Sequence, residues 1–135
     1  CEEEYAKANK LPIIARIKST AIQGCPPELM GLGPINASKK ALKRANLEIN
    51  DIDIVELNEA FASQSIACLK ELKINPEIVN IEGGAIALGH PLGATGTRIT
   101  SKAASLMIKH NKKYALATQC IGLGQGIATV LERVD

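Results

Sequence analysis

Gly83-Gly84-Ala85-Ile86-Ala87-Leu88-Gly89-His90-Pro91-Leu92-Gly93-Ala94-Thr95-Gly96 is the stretch that organises this chain. Five glycines in fourteen residues imply close backbone approach or positive φ angles. An apolar run, Ile78 to Ile81, precedes it and reads as a brief strand. A helical pattern follows from about Ala94 to His110, with Ile99, Ala103, Leu106 and Met107 inward. The stretch is therefore a glycine-rich turn between a strand and a helix. His90 sits in that turn, where an imidazole reaches a ligand without crossing bulky side chains and exchanges protons near neutral pH. The alternative is a histidine that only hydrogen-bonds the turn. His110, at a helix C-terminus, complements the dipole. The spacing of Gly84 and Gly89 matches a phosphate-binding loop, but His90-Pro91 stands where Lys-Ser/Thr would hold phosphate and magnesium.

The same pattern of punctuation extends outward. Residues 1–12 read as a helix end or linker stopped at Pro12. Ile13 to Ile22 alternates as a strand, broken by Gly24-Cys25-Pro26-Pro27. Met30-Gly31-Leu32-Gly33-Pro34 is a tight loop with Pro34 suited to helix entry. Ala37, Ala41, Leu42 and Ala45 then fall on one helical face, with Lys39, Lys40, Lys43 and Arg44 on the other. Asp51 to Leu57 reads as a strand. A helix from about Glu59 to Leu72 is expected to bury Ala62, Ile66, Leu69 and Leu72. Tyr114 to Ile121 and Ile127 to Val134 are strands joined by Gly122-Leu123-Gly124-Gln125-Gly126.

The order β-α-β-α-β-α-β-β predicts an α/β fold, a mixed and mostly parallel sheet covered by helices. In such sheets ligands gather at the carboxyl ends of the strands. Asn58, the His90 loop and Cys120 each follow or end a strand, so the topology predicts three polar or reactive residues on one edge.

At 135 residues the chain has the size of one domain, residues 1–135. An apolar fraction of 46% and a charged fraction of 22% are those of an ordinary folded domain. No apolar run approaches the ~18 residues of a membrane span, and Cys1-Glu2-Glu3-Glu4 lacks the features of a signal peptide. A net charge of +2 and only Tyr5, Phe61 and Tyr114 as aromatics argue against nucleic acid as a partner. Cys1, Cys25, Cys68 and Cys120 are too widely spaced for a zinc site or a small disulfide scaffold, which points to a reducing, cytoplasmic setting.

Cys120 precedes a glycine-rich loop whose N–H groups can hold an oxyanion or stabilise a thiolate. The plain alternative is a small buried hydrophobe, the reading kept for Cys68 and Cys25. Asn58 is either an N-cap or an amide that positions a water or substrate oxygen. Glu59 favours the positive end of the helix dipole in both cases. The spacing of Gly122, Gly124 and Gly126 lies in a β-β turn and is no dinucleotide fingerprint.

Three segments together resemble the signatures of the thiolase C-terminal domain. They are Asn58-Glu59-Ala60-Phe61-Ala62, the Gly83–Gly96 stretch, and Cys120-Ile121-Gly122-Leu123-Gly124-Gln125-Gly126. They occur in the family's order and the resemblance covers the chain from about Ala21 on, closest to acetyl-CoA acetyltransferases, with longer-chain 3-ketoacyl-CoA thiolases as the alternative. The resemblance implies carbon–carbon bond formation or cleavage between acyl units carried on coenzyme A, a substrate and product rather than a cofactor; no cofactor or metal is implied. It implies that His90 activates a nucleophile and binds a thioester oxygen. Cys120 would remove the α-proton of the second acetyl-CoA. Asn58 would orient a water in one oxyanion hole, and the Gly122 N–H would serve the other. Met30 and Phe61 would line the pantetheine and acyl pocket. Thr95 stands where many relatives carry Ser, and Leu123 replaces a frequent Gly.

The family has two related halves, and its acylated cysteine lies in the N-terminal one. None of Cys1, Cys25 and Cys68 has the expected context. The chain is thus expected to be a C-terminal half, inactive alone, partnered by an N-terminal half and forming homo-oligomers in the intact enzyme. A condensing relative such as a ketoacyl synthase, or a non-catalytic module that binds CoA or a partner chain, are the competing readings.

Overall fold

The computed structural model describes residues 1–134. The elements are α1 (Glu3–Ala8), β1 (Ala15–Gly24), a 3-10 turn (Pro27–Leu32), α2 (Gly33–Ala45), a 3-10 turn (Ile49–Asp51), β2 (Ile54–Leu57), α3 (Ala62–Leu72), a 3-10 turn (Pro76–Ile78), α4 (Ala85–Leu88), α5 (Leu92–Lys109), β3 (Tyr114–Ile121) and β4 (Gln125–Arg133). Strands and helices form the mixed α/β arrangement that the alternation predicts.

The sheet has the order β1-β4-β3-β2. β2 and β3 are parallel, but β4 is antiparallel to both β3 and β1. The expected majority of parallel pairs is therefore corrected. The hairpin strand β4 sits between β3 and β1, so it makes two antiparallel pairs. The strand expected at Ile78 to Ile81 reduces to a single parallel bridge, Val55 to Val79, because the preceding 3-10 turn leaves too short an extended run.

Helices cover both faces. On one side α2 and α3 pack Ala37, Ala41, Leu42, Ala45, Cys68 and Leu72 against Val55, Leu57, Leu116, Ala128 and Val130. On the other, α5 packs Ile99, Ala103, Leu106 and Met107 against Ile54, Ala115, Ala117 and Leu131. Strand alternation divides β2 and β3 between the two layers. Pro34 opens α2 and Lys43 and Arg44 close it, where cations complement the dipole.

α3 departs from its expected pattern. It begins at Ala62 rather than Glu59, and its buried residues are Gln64, Cys68 and Leu72. Ile66 is exposed. The tertiary contact is made by a face rotated from the most apolar one, because the Pro27–Leu32 turn rests there: the Cys68 thiol donates to the Gly31 carbonyl at 3.4 Å.

Candidate active site

β2 ends at Leu57, yet the Asn58 N–H still donates to the Thr118 carbonyl at 2.9 Å, so Asn58 stays in register with β3. Its side chain is fully buried, with neither amide atom hydrogen-bonded among the described residues. The residue flanking α3 is Phe61, not Asn58, which removes the N-cap reading. Buried amides are rarely left unpaired outside functional positions.

Glu59 turns back onto the glycine-rich loop. Its carboxylate accepts from the Ile86 N–H at 2.9 Å and from Asn80 Nδ2 at 3.0 Å. It lies so close to Gly84 that a Cβ there would meet its carboxyl carbon at 2.5 Å. Asn80 also donates from Nδ2 to the Leu57 carbonyl at 2.8 Å and accepts the Leu57 N–H at 3.0 Å on Oδ1. Its side-chain amide thus pairs with β2 as a peptide would. This is how the loop is fastened to the strand end that presents Asn58. The residue reading missed Asn80; its signal was an Asn three residues ahead of Gly83-Gly84.

His90 precedes α5 and is half-buried. Its Nδ1 lies 2.7 Å from Thr95 Oγ1, and the Thr95 hydroxyl donates to the Pro91 carbonyl at 3.0 Å. The hydroxyl has one proton and it is committed. With that proton on Pro91, Thr95 Oγ1 is free to accept from an Nδ1–H, and in this tautomer Nε2 is the nitrogen left to accept a proton.

Cys120 pairs with Gly126 across the hairpin. By alternation it shares the side of β3 that holds Leu116 and Thr118, facing α2, where the Ser38 hydroxyl donates to Thr118 Oγ1 at 3.3 Å. Burial pushes the Cys120 thiol up, its own backbone amide opposes this, and the Cys25 thiol adds to it. Burial likewise pushes Cys68 up. All four cysteines are free. No hydrogen bond joins His90 to Cys120 among the described residues. The two come from consecutive elements, His90 just before α5 and Cys120 near the end of β3.

Gly122 opens the hairpin turn, and its N–H enters no backbone hydrogen bond among the described residues. Leu123 takes a left-handed conformation, φ 67°, and is almost fully exposed. The loop therefore keeps its shape with Leu at a position that favours glycine. Met30 is half-buried in the Pro27–Leu32 turn, and Phe61 is 58% exposed at the start of α3. The turn and α3 touch, since a Cβ on Gly31 would meet Gln64 Cγ at 3.0 Å.

These segments and their geometry are those of one family. Residues 11–133 match the thiolase C-terminal domain, and the chain belongs to that family. It is 59% identical over 134 residues to a 3-ketoacyl-CoA thiolase of Vibrio parahaemolyticus, covering 97% of this chain and 34% of the relative. It is 58% identical over 135 residues to a 3-ketoacyl-CoA thiolase of Shewanella loihica, covering 98% and 35%. The crystal structure of human mitochondrial 3-ketoacyl-CoA thiolase superposes with a TM-score of 0.97 at 42% identity, over 99% of this chain and 34% of that one. A second human structure, in complex with CoA, gives 0.96 at 43% identity, over 98% of this chain and 34% of that one. The chain thus spans about a third of the length of the relatives it matches. Among the described residues no helix is long and apolar enough to cross a membrane, and no group of three or more His, Cys, Asp or Glu side chains could hold a metal ion.

Proposed function

We propose that residues 1–135 form one domain, the C-terminal half of a thiolase that transfers acyl groups between CoA thioesters. The observation that carries this reading is the hydrogen-bonded chain from His90 Nδ1 through Thr95 to the Pro91 carbonyl, which holds the ring and leaves Nε2 free to act as a base. His90 Nε2 takes the proton of a nucleophilic thiol supplied by the other half; the thiolate attacks the first acyl-CoA, the acyl–sulfur bond to CoA breaks, CoA leaves with the proton from His90, and the ring later faces a thioester oxygen. In synthesis, Cys120 as thiolate takes the α-proton of the second acyl-CoA. The resulting enolate attacks the acylated thiol, the new carbon–carbon bond forms, and the nucleophile leaves as thiolate. Thiolysis runs the steps in reverse. The Asn58 amide, buried and without a hydrogen-bond partner among the described residues, orients a water at one carbonyl oxygen, and the Gly122 N–H serves the other. Met30 and Phe61 line the acyl-pantetheine path.

The names of the relatives favour 3-ketoacyl-CoA substrates over acetoacetyl-CoA alone, and fatty acid metabolism as the setting. The bacterial relatives and the free cysteines support the cytoplasm. A groove of about 820 Å³ between α1, β1 and α5, walled by Leu11, Ile14, Ile17, Ile108, Leu131 and Val134, offers an N-terminal half an apolar seat. In the intact enzyme this assembly is a homo-oligomer.

The test fuses this chain to the N-terminal part of the Vibrio parahaemolyticus relative and measures thiolysis of acetoacetyl-CoA and of a sixteen-carbon 3-ketoacyl-CoA. The expected result is turnover in the fusion, none in the 135-residue chain, and loss on His90→Ala or Cys120→Ala. A folded fusion that turns over neither substrate would sink the proposal and favour a module that only binds CoA or a partner.

A further inference from the structure

Glu56 stands in the middle of β2, between Val55 and Leu57, and is fully buried. Neither carboxyl oxygen has a hydrogen-bond partner among the described residues. An unpaired buried carboxylate costs several kcal/mol, whereas an aliphatic residue would fill this strand position at no such cost. Alternation places Glu56 on the same side of β2 as Asn58, about 7 Å along the strand. That side faces α5.

α5 answers with charge. Arg98 and Lys102, one turn apart, both favour ionised Glu56, and Arg98 Nε is itself buried with no hydrogen-bond partner among the described residues. Two carboxylates act the other way: Glu59 in the loop after β2, and Glu82, which pairs with Lys102 and Lys109. The N-terminal turn of α5 contains Thr95, the partner of His90. Glu56 therefore lies between the strand that presents Asn58 and the helix that carries the His90 support.

We propose that Glu56 is a positioning residue: its buried carboxyl lies between β2 and α5, and gaining a negative charge there, drawn to Arg98 and Lys102 on α5, shifts the placement of Asn58 relative to His90. That Asn58 and His90 serve the reaction rests on the function proposed above; the coupling between Glu56 and Asn58 does not. Burial, opposed by Arg98 and Lys102 and reinforced by Glu59 and Glu82, pushes the Glu56 carboxyl up to about 7. The charge that sets the placement is thus gained near neutral pH.

The experiment is an NMR titration of the 135-residue chain from pH 5 to 9, following the Glu56 carboxyl carbon and the Asn58 side-chain amide. The expected result is one shared inflection close to neutrality. It should vanish from the Asn58 amide in Glu56→Gln and move to higher pH in Arg98→Gln, which removes a cation that favours ionisation. An Asn58 signal that does not follow Glu56, or an inflection that stays in place in Arg98→Gln, overturns the proposal. The wild type and Arg98→Gln decide the matter even if Glu56→Gln does not fold. Because the readout is spectroscopic, it stands or falls separately from the thiolysis result.

Discussion

Gly33 and Gly126 lie backbone against backbone: a Cβ on Gly33 would stand 2.3 Å from the Gln125 carbonyl oxygen, and one on Gly126 would stand 2.1 Å from the Gly33 carbonyl carbon. The first turn of α2 is thereby pressed onto the start of β4, next to the hairpin that carries Cys120 and Gly122. Neither neighbour is a flexible side chain, so neither can give way. Gly33→Ala and Gly126→Ala should each cost about 3 kcal/mol or more in urea unfolding. Gly122→Ala is the control. A Cβ there meets nothing within 4 Å, and the loss should stay below about 1 kcal/mol.

The Thr95 hydroxyl lies between His90 Nδ1 and the Pro91 carbonyl and so holds the ring and favours one tautomer. Thr95→Val keeps the shape and removes both bonds, which frees the ring to rotate and to protonate at either nitrogen. In the fused enzyme kcat should fall on the order of tenfold or more with KM little changed, a loss of about 1.4 kcal/mol of transition-state stabilisation. Thr95→Ser retains the hydroxyl and should keep most of the activity. Equal rates for Val and Ser would show that the tautomer does not matter.

Glu56 also makes a thermodynamic prediction. Its carboxyl is raised from 4.5 to about 7 in the folded state, so the folded chain holds a proton that the unfolded chain has already released. The associated stability is fully present below pH 4.5 and is lost as pH rises through about 7. The difference amounts to about 3 kcal/mol. Glu82 and Glu3, both lowered to about 2, act in the opposite direction and in a more acidic window. Unfolding free energy measured from pH 5 to 8 should therefore fall with pH, and Glu56→Gln should flatten that slope.

Cys120 and Cys68 are both pushed up by burial. In the isolated chain at pH 7 they should react slowly with iodoacetamide and at similar rates, while exposed Cys1 reacts first. Joining the N-terminal part should speed alkylation of Cys120 by tenfold or more and leave Cys68 slow. Mass spectrometry of the labelled peptides reads each site. Unchanged Cys120 reactivity in the fusion would count against its proposed role as base.

The residues proposed to act on substrate and the residues that hold them differed in how far sequence disclosed them. His90 and Gly122 stand in glycine-bounded turns, and Cys120 in the strand just before one, where the composition is visible locally. The inward face of α5 was legible because Ile99, Ala103, Leu106 and Met107 repeat at helical spacing and all four are buried. The face of α3 was not, since Ile66 is exposed and Gln64 is buried: what chose the face was the Pro27–Leu32 turn, a contact with no periodicity of its own. The sheet's strand directions were misjudged for a related reason. Alternating elements suggest parallel neighbours, and only the pairing of β4 on both its sides shows otherwise. Asn80 and Glu59 escaped because their partners, Leu57 and Ile86, are contacts made across loops.

β1 forms an edge of the sheet, ten residues long, with Ile17 and Ile22 exposed. Its register slips between Ile17 and Ser19, with Lys18 at the slip and Arg16 just before it. Arg16 is also clasped by Glu3 of α1 at 2.6 Å. A kinked, cationic border of this sort discourages a second strand from adding, but electrolyte weakens the clasp and the repulsion together. The colloidal life of the separate chain is then governed by ionic strength. Light scattering should register growing particles as salt rises, and an Arg16→Ile, Lys18→Ile double variant should form them without it.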